Sequence, residues 1–204
     1  MHLARDIGQG PALGRPGSVT RSSFSKSEGG SQVTVEMYKP SDHSFRFAAW
    51  AAGRASARGV SGLSGETATS LLKAAGLDAL AHDPSRLPPA AEFDRFHTEL
   101  RQKIIDQAPQ YGLAGITHGR AAKLINIALK ALFLQDFGAE TPAGPYSKAQ
   151  LDAIHPPIDS VLLKELTRTG PQTYRSLWSR FGPWTKLDSD SYEALIECVR
   201  TATG

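Results

Sequence analysis

The segment from Ala121 to Leu134, AAKLINIALKALFL, constrains the fold more than any other part of the sequence. Its polar residues are Lys123, Asn126 and Lys130. At about 100° per residue, Asn126 lies about 60° and Lys130 about 20° from Lys123 around a helix axis. A helix that is apolar on its other sides must pack against neighbouring elements. The segment therefore predicts a central helix with one polar strip that faces water or a cleft.

The rest of the chain after Pro40 also has a helical pattern. Apolar residues recur at helical spacing, and Pro, Gly or a capping Ser or Asp bounds each segment. Further helices are predicted over FRFAAWAAGRASAR, SGETATSLLKAAG, AAEFDRFHTELRQKIIDQ, KAQLDAI, PPIDSVLLKELTR, PQTYRSLWSRFG and SDSYEALIECVRTA. The sequence therefore predicts an all-α fold, a single globular domain of seven or eight helices over residues 41–204.

Residues 1–40 have a different composition. They are rich in Gly, Ser and Pro and lack a periodic apolar pattern, which predicts a flexible arm. Four basic residues, Arg5, Arg15, Arg21 and Lys26, give the arm a mild positive charge. Within it, QVTVEMY at 32–38 alternates like one short strand. Two interpretations stay open, an arm that follows DNA and a tail without a binding role.

Composition and charge exclude some classes of protein and leave others open. The chain has 204 residues, 40% of them hydrophobic, with a net charge of +3, which permits nucleic-acid binding without requiring it. It has neither the roughly 18 consecutive apolar residues of a membrane span nor an apolar secretion signal at its start. The single cysteine, Cys198, cannot form an internal disulfide, and His97 and His155 lack companions at metal-ligand spacing. We therefore expect a cytoplasmic monomer without metal or cofactor.

The sequence GITHG, directly before the apolar segment, contains two glycines at a helix start. Backbone N–H groups at such a position can bind a phosphate, and basic side chains would add positive charge. The candidate phosphate contacts are Gly115, Thr117, His118, Gly119, Arg120 and Lys130. The alternative is that Lys123 and Lys130 are ordinary solvated lysines. Asn126 favours a specific role for the strip, because asparagine is a poor helix former.

The second informative segment is AIHPPIDSVLLKEL, in which two prolines precede a helix and Asp159 falls in its first turn. The helix dipole and free N–H groups favour an ionised carboxylate and predict a low pKa for Asp159. The alternative is that Asp159 only stabilises the helix start. His155, four residues earlier, is a partner of this carboxylate, a cap, or an exposed side chain.

In this order, a glycine-containing turn, the Lys123 helix and the HPPID helix start resemble the core of the helix-hairpin-helix DNA glycosylases. The resemblance covers residues 112–166 and is greatest to the lysine-containing 8-oxoguanine glycosylases and their archaeal relatives. It implies that the glycine hairpin grips the DNA backbone, that Lys123 attacks the sugar C1′, and that Asp159 assists. The hairpin from Gly115 to Gly119 is longer than usual, and 36 positions separate Lys123 from Asp159. Lys130 is a rival nucleophile.

The resemblance also implies a pocket for a flipped base, which needs aromatic walls. The candidates for this pocket are Asn126, Trp50, Trp184 and His155, with Tyr111 and Trp178 as further aromatics. For each tryptophan, core packing is the favoured explanation, because large aromatics dominate helical cores, and Trp184 is expected to be the most exposed of the three. Arg54 and Arg58 share a face at the end of the first long helix, where they contact phosphates or water.

The function that follows is excision of a damaged or modified base from DNA, by hydrolysis or through a Schiff base. Divergence from the common motif admits a bulky modified base of bacteriophage DNA as substrate, with antiviral defence as the role instead of DNA repair. Two other classes stay open. One is a non-catalytic helical nucleic-acid-binding module, and the other is a helical domain whose basic strip meets an acidic protein. The glycosylase hypothesis requires Lys123 and Asp159 to share one cavity.

Overall fold

A computed structural model describes residues 39–170 and 181–203 of the chain. This part contains eight α-helices and no strand, which confirms the all-α prediction. The helices are α1 (Pro40–Ser56), α2 (Gly65–Ala74), α3 (Asp78–His82), α4 (Phe93–Gln107), α5 (His118–Leu132), α6 (Lys148–Asp152), α7 (Ser160–Thr169) and α8 (Ser189–Thr203). The predicted arm, its short strand and Trp178 lie outside the described residues, as does most of the predicted PQTYRSLWSRFG helix.

Helix α5 is the central element, as its apolar sequence predicts. Of its 15 residues, nine are buried, and it packs against α1, α4, α8 and a 3₁₀ turn at Trp184–Lys186. The contact with α1 is the most extensive, because α1 presents Ala48, Ala49 and Ala52, whose small side chains are fully buried. Small residues allow two helix backbones to approach closely, so α1 and α5 form the framework on which the other helices assemble.

Two apolar clusters meet on α5. The larger one joins α1, α2, α4 and α5 and includes Ala121, whereas the smaller one joins α5 to α8 and includes Ala122. Neighbouring residues on a helix point about 100° apart, so one helix can supply side chains to both clusters. Trp184 and Ile158 belong to the smaller cluster and anchor the segments that lead into α8 and α7.

Two caps place the helix starts that matter for function. Thr117 is the N-cap of α5, and its side chain accepts a hydrogen bond from the backbone N–H of Arg120. Asp159 is the N-cap of α7, one residue before the helix begins. None of the helices in the described residues is both long and apolar enough to cross a membrane.

Candidate active site

Lys123 and Asp159 contact each other directly. The Lys123 Nζ donates a hydrogen bond to Asp159 Oδ2 at 3.2 Å and lies 4.6 Å from the centre of the Trp184 ring. Lys123 is 8% exposed. An ammonium group so deeply placed needs a charged or aromatic partner, and here it has both. The first half of α5 and the start of α7 therefore bring together the two groups that the resemblance implies for chemistry.

The two oxygens of the Asp159 carboxylate have different tasks. Oδ1 accepts hydrogen bonds from the backbone N–H groups of Val161 at 3.0 Å and Leu162 at 2.9 Å, which leaves Oδ2 for Lys123. Burial by itself raises the pKa of Asp159, but the hydrogen bonds from Leu162 and Lys123 outweigh it and hold the pKa below its usual range. Asp159 is therefore an anion at neutral pH, able to accept a proton or to stabilise positive charge.

Both side chains open into a cleft of about 320 Å³. Its lining residues are Arg54, Ala55, Arg58, Lys123, Asp159, Ser160, Val161 and Trp184. This volume is within the range of small-ligand pockets. The two arginines come from the end of α1 and the residues after it, and both are exposed. The cleft thus combines positive charge at its rim, an aromatic wall and an ion pair at its base.

Arg120 holds the wall of the cleft in place. Its Nη1 donates a hydrogen bond to the backbone oxygen of Arg58 at 3.1 Å, and its guanidinium carbon lies 6.0 Å from the centre of the Trp184 ring. Since Arg120 precedes Lys123 by one turn of α5, these two cations flank the same tryptophan. Of the predicted phosphate contacts, Arg120 is the one that the structure places beside the cleft.

The start of α5 does not form the predicted phosphate cradle. The Gly119 N–H donates to the backbone oxygen of Leu187 at 3.2 Å, and the Arg120 N–H donates to Thr117 Oγ1 at 3.3 Å. Thr117 Oγ1 in turn donates to the backbone oxygen of Thr185 at 3.0 Å. A β-carbon at Gly119 would overlap the backbone oxygen of Trp184. The second glycine of GITHG therefore permits close packing. The backbone N–H groups of Gly119 and Arg120 are used in hydrogen bonds within the fold.

The other predicted phosphate contacts also lie away from the cleft. Gly115 is exposed with φ of +70° and does not line it. Burial and the nearby charge of Arg101 lower the pKa of His118, so its ring adds no positive charge at neutral pH. Lys130 is exposed and lies about 10 Å further along the helix axis than Lys123. Lys130 as the rival nucleophile has no carboxylate partner among the described contacts.

Asn126 belongs to the core and not to a base pocket. It is fully buried, and its amide donates to the backbone oxygen of Pro156 and to the Tyr192 hydroxyl, each at 3.0 Å. Its Oδ1 accepts a hydrogen bond from His97 Nε2 at 2.8 Å. Pro156 lies three residues before Asp159, so α5 holds this connection twice, through Asn126 and through Lys123. Asn126 is thus a positioning residue for the carboxylate, which explains an amide in an apolar helix.

His155 is part of the same buried polar network. Its Nε2 donates to Asp94 Oδ1 at 2.8 Å, and because Asp94 can only accept, the ring's Nδ1 accepts from the Tyr192 hydroxyl at 3.1 Å. Burial lowers the pKa of His155 to about 4, although Asp94 opposes the shift. His155 lines a separate cleft of about 440 Å³ together with Asp94 and Arg200. The structure thus places His155, a predicted base-pocket residue, in this second cleft, whose lining does not include Lys123.

Two tryptophans differ from the prediction in how exposed they are. Trp184, expected to be the most exposed, is only 9% exposed and lines the cleft with Lys123. Trp50, for which core packing was the favoured explanation, is 54% exposed on α1 and does not line the cleft. Tyr111 packs on the main apolar cluster. Trp184 is thus the one predicted pocket residue found at the site.

The buried network also contains residues that the sequence patterns did not single out, namely His97, Arg101 and Tyr192. Arg101 is fully buried, pairs with Glu193 at 2.7 Å and lies over the Tyr192 ring. A signal was present in the spacing of α4, because His97 and Arg101 share the face of the buried Phe93. Polar residues on a core-facing helix stripe indicate a buried network.

In the described part of the chain, no group of three His, Cys, Asp or Glu side chains could hold a metal ion. Comparison of the chain with known protein families, with curated proteins and with solved structures finds no match. A functional proposal must therefore come from the arrangement of the residues themselves.

Proposed function

We propose that this protein is a DNA glycosylase that removes a damaged or modified base from DNA. The observation that carries the proposal is the contact between Lys123 and Asp159 in a cleft lined by Trp184 and two arginines. Base excision needs a nucleophile or activated water, a carboxylate, an aromatic wall for the flipped base and cations for the phosphates. The resemblance over residues 112–166 to helix-hairpin-helix glycosylases supports the same roles.

Two routes fit the ion pair. In the Schiff-base route Lys123 passes a proton to Asp159, and its amine forms a bond to the sugar C1′. The C1′–base bond breaks, the bonding electrons leave with the base, and the base takes up a proton. In the hydrolytic route Asp159 takes the proton from a water molecule, whose oxygen bonds to C1′ instead. Positive charge grows on the sugar in both, and the carboxylate stabilises it.

The open side of the cleft favours a large base. Arg54, Ala55 and Val161 line its open side and are exposed, Val161 to 72%, so a substituent on the base can extend past them into water. We therefore favour a bulky modified base, such as those of bacteriophage DNA, over a small oxidative lesion. The corresponding role is antiviral defence, carried out by a monomer in the cytoplasm.

The test is a screen for released bases. DNA from several phages and hosts is incubated with the wild-type protein, and mass spectrometry identifies any free base. The matched variant is Asp159→Asn, because asparagine is as good a helix N-cap as aspartate and preserves the start of α7. We expect release to fall by about a hundredfold or more while affinity for the DNA is retained. Absence of release by the wild type from every DNA would refute the proposal.

A non-catalytic nucleic-acid-binding module is the second candidate, and one observation favours it. The bonds of Asp159 to Val161, Leu162 and Lys123 are also those of an ordinary helix cap with a surface-facing ion pair. Such a module would bind DNA through the same arginines and release no base with or without Asp159→Asn. The screen therefore separates the two candidates directly.

A further inference from the structure

Helix α1 exposes two large aromatic side chains next to each other. Phe47 is 53% and Trp50 54% exposed, and their ring centres lie 6.0 Å apart at an angle of 31° between the planes. Single exposed apolar residues are common on protein surfaces, but an adjacent pair of aromatics is a typical binding feature. Neither residue lines the cleft, so the proposed chemistry does not account for them.

The aromatic pair is continuous with the arginines of the cleft. Arg54 follows Trp50 by four residues, so the two lie on one side of α1, and Arg58, in the turn after the helix, lines the same cleft as Arg54. Arg46, beside Phe47, is also exposed. We call Phe47, Trp50, Arg54 and Arg58 the aromatic–arginine face. The two exposed rings lie at one end of this face, and the two arginines at its other end line the cleft.

The dimensions match a short piece of nucleic acid. From Phe47 to Arg54 the helix rises about 10 Å, at 1.5 Å per residue. At the rise of about 3.4 Å per nucleotide of a fully stacked strand, this distance holds about three nucleotides, and it holds fewer of a more extended unpaired strand. A protein partner would match the exposed rings, but the adjacent arginines favour a polyanion. Charge complementarity therefore selects a nucleic-acid strand as the occupant.

We infer that the aromatic–arginine face binds an unpaired strand next to the nucleotide in the cleft, with bases stacked on Phe47 and Trp50 and phosphates at Arg54 and Arg58. In a duplex the bases stack on each other and their faces are covered, so an aromatic platform favours unpaired nucleotides. The inference rests on the proposed function for its position beside the cleft. It adds a property that excision does not require, a preference for unpaired DNA on one side of the target.

Fluorescence anisotropy with a labelled single strand, and with the duplex of the same sequence, tests the inference. The variant Phe47→Ala with Trp50→Ala is compared with Leu134→Ala, an exposed apolar residue elsewhere that is 58% exposed. We expect the double variant to bind the single strand at least about tenfold more weakly, whereas Leu134→Ala binds like the wild type. The salt dependence of binding should stay unchanged in the double variant, because no phosphate contact is lost.

The arginines provide the complementary measurement. Arg54→Gln with Arg58→Gln should lower the slope of log affinity against log salt by about 1.4, or about 0.7 for each phosphate contact on a single strand. The control is Lys103→Gln, an exposed lysine on α4 that does not line the cleft. All the substituted residues are exposed, so thermal unfolding should show that each variant folds like the wild type.

The outcomes separate this inference from the proposed function. Unchanged single-strand affinity in the aromatic variant overturns the inference, even if the wild type releases bases. Weakened single-strand binding supports it, even if no DNA yields a free base. Sedimentation of the wild type alone completes the test, because a dimer that the aromatic variant converts to a monomer would show the face to be a contact between copies of the chain.

Discussion

Two groups of polar side chains lie one turn apart on α5, and they differ in what surrounds them. Lys123 opens into a cleft with Asp159 and Trp184, whereas Asn126 is fully enclosed and bonds to the backbone and to other buried side chains. Asn126 fixes a backbone segment and has no exposed surface for a ligand, whereas His155, at the edge of its network, lines the separate cleft of about 440 Å³. Lys123 is open to its own cleft and contributes fewer bonds to the fold. The polar residues on one face of α5 therefore have two different roles: Asn126 supports the fold, and Lys123 is available for chemistry.

The largest expected effect comes from a substitution in the cleft that leaves the buried network intact. If Lys123 forms a Schiff base, borohydride should trap a covalent adduct with substrate DNA, and Lys123→Gln should reduce the adduct by at least about a hundredfold. Lys130→Gln, on the same helix but exposed, should trap like the wild type. An adduct that survives Lys123→Gln would show that a different amine reacts.

The next largest effect is a loss of stability, caused by a substitution that disrupts the buried network. Asn126→Ala removes three hydrogen bonds and leaves buried groups of His97, Tyr192 and Pro156 without this partner. The expected loss is on the order of 4 kcal/mol in the free energy of unfolding, measured with urea. Lys130→Ala on the same helix is the control and should change stability by less than about 0.5 kcal/mol. A similar small change in Asn126→Ala would contradict the supporting role of the network.

The pH dependence of stability should distinguish the two groups without mutation. Burial lowers the pKa of His155 in the folded protein to about 4, below the 6.5 of a free histidine, so the unfolded chain binds more protons between these pH values. Stability should therefore fall as pH drops from about 6.5 to about 4, by on the order of 3 kcal/mol. His97, fully buried with a lowered pKa, acts in the same direction.

Asp159 should stay mostly ionised over that pH range, because the hydrogen bonds from Leu162 and Lys123 hold its pKa below 3.8. Urea unfolding at several pH values measures the effect, with His155→Asn as the comparison. That variant should have a flatter pH profile than the wild type. An equal slope in both proteins would mean that His155 does not carry the dependence.

The smallest expected effect concerns the contribution of the cleft to stability. Asp159→Asn keeps an N-cap acceptor on α7 and a polar partner for the mostly buried Lys123, so the free energy of unfolding should fall by about 1 to 2 kcal/mol, less than in Asn126→Ala. Thermal or urea unfolding measures it beside Asn126→Ala. If Asp159→Asn costs as much as Asn126→Ala, the carboxylate is structural and the contrast between the two groups disappears.

Local patterns in the sequence were sufficient to predict the helices. They failed to predict the surroundings of a side chain where those are supplied by segments distant in the sequence. The spacing of apolar residues predicted the helices and the central position of α5, because periodicity reports which face is buried. It could not separate Lys123 from Asn126, since their surroundings come from α7, α4 and α8. GITHG was misinterpreted for the same reason, because the contact that requires Gly119 is made by Trp184.

The approach of Lys123 to Asp159 came from a resemblance and not from spacing. The two residues are 36 positions apart, and no local rule brings such a pair together. Arg54 and Arg58 were predicted to share a helix face, but α1 ends at Ser56 and Arg58 lies in the turn after it, and only the structure shows that both line the cleft. Sequence spacing can therefore identify site residues that are neighbours on one segment, but it cannot show which helices come together to form the site.

The adjacent residues Ala121 and Ala122 each belong to a different apolar cluster. Neither cluster can open locally without uncovering one side of α5, so the two should lose their structure in a single cooperative step. The amide hydrogens in the middle of α5 should therefore be the slowest in the described chain to exchange with heavy water, at the rate set by global unfolding. Amides at the exposed end of α7 should exchange long before.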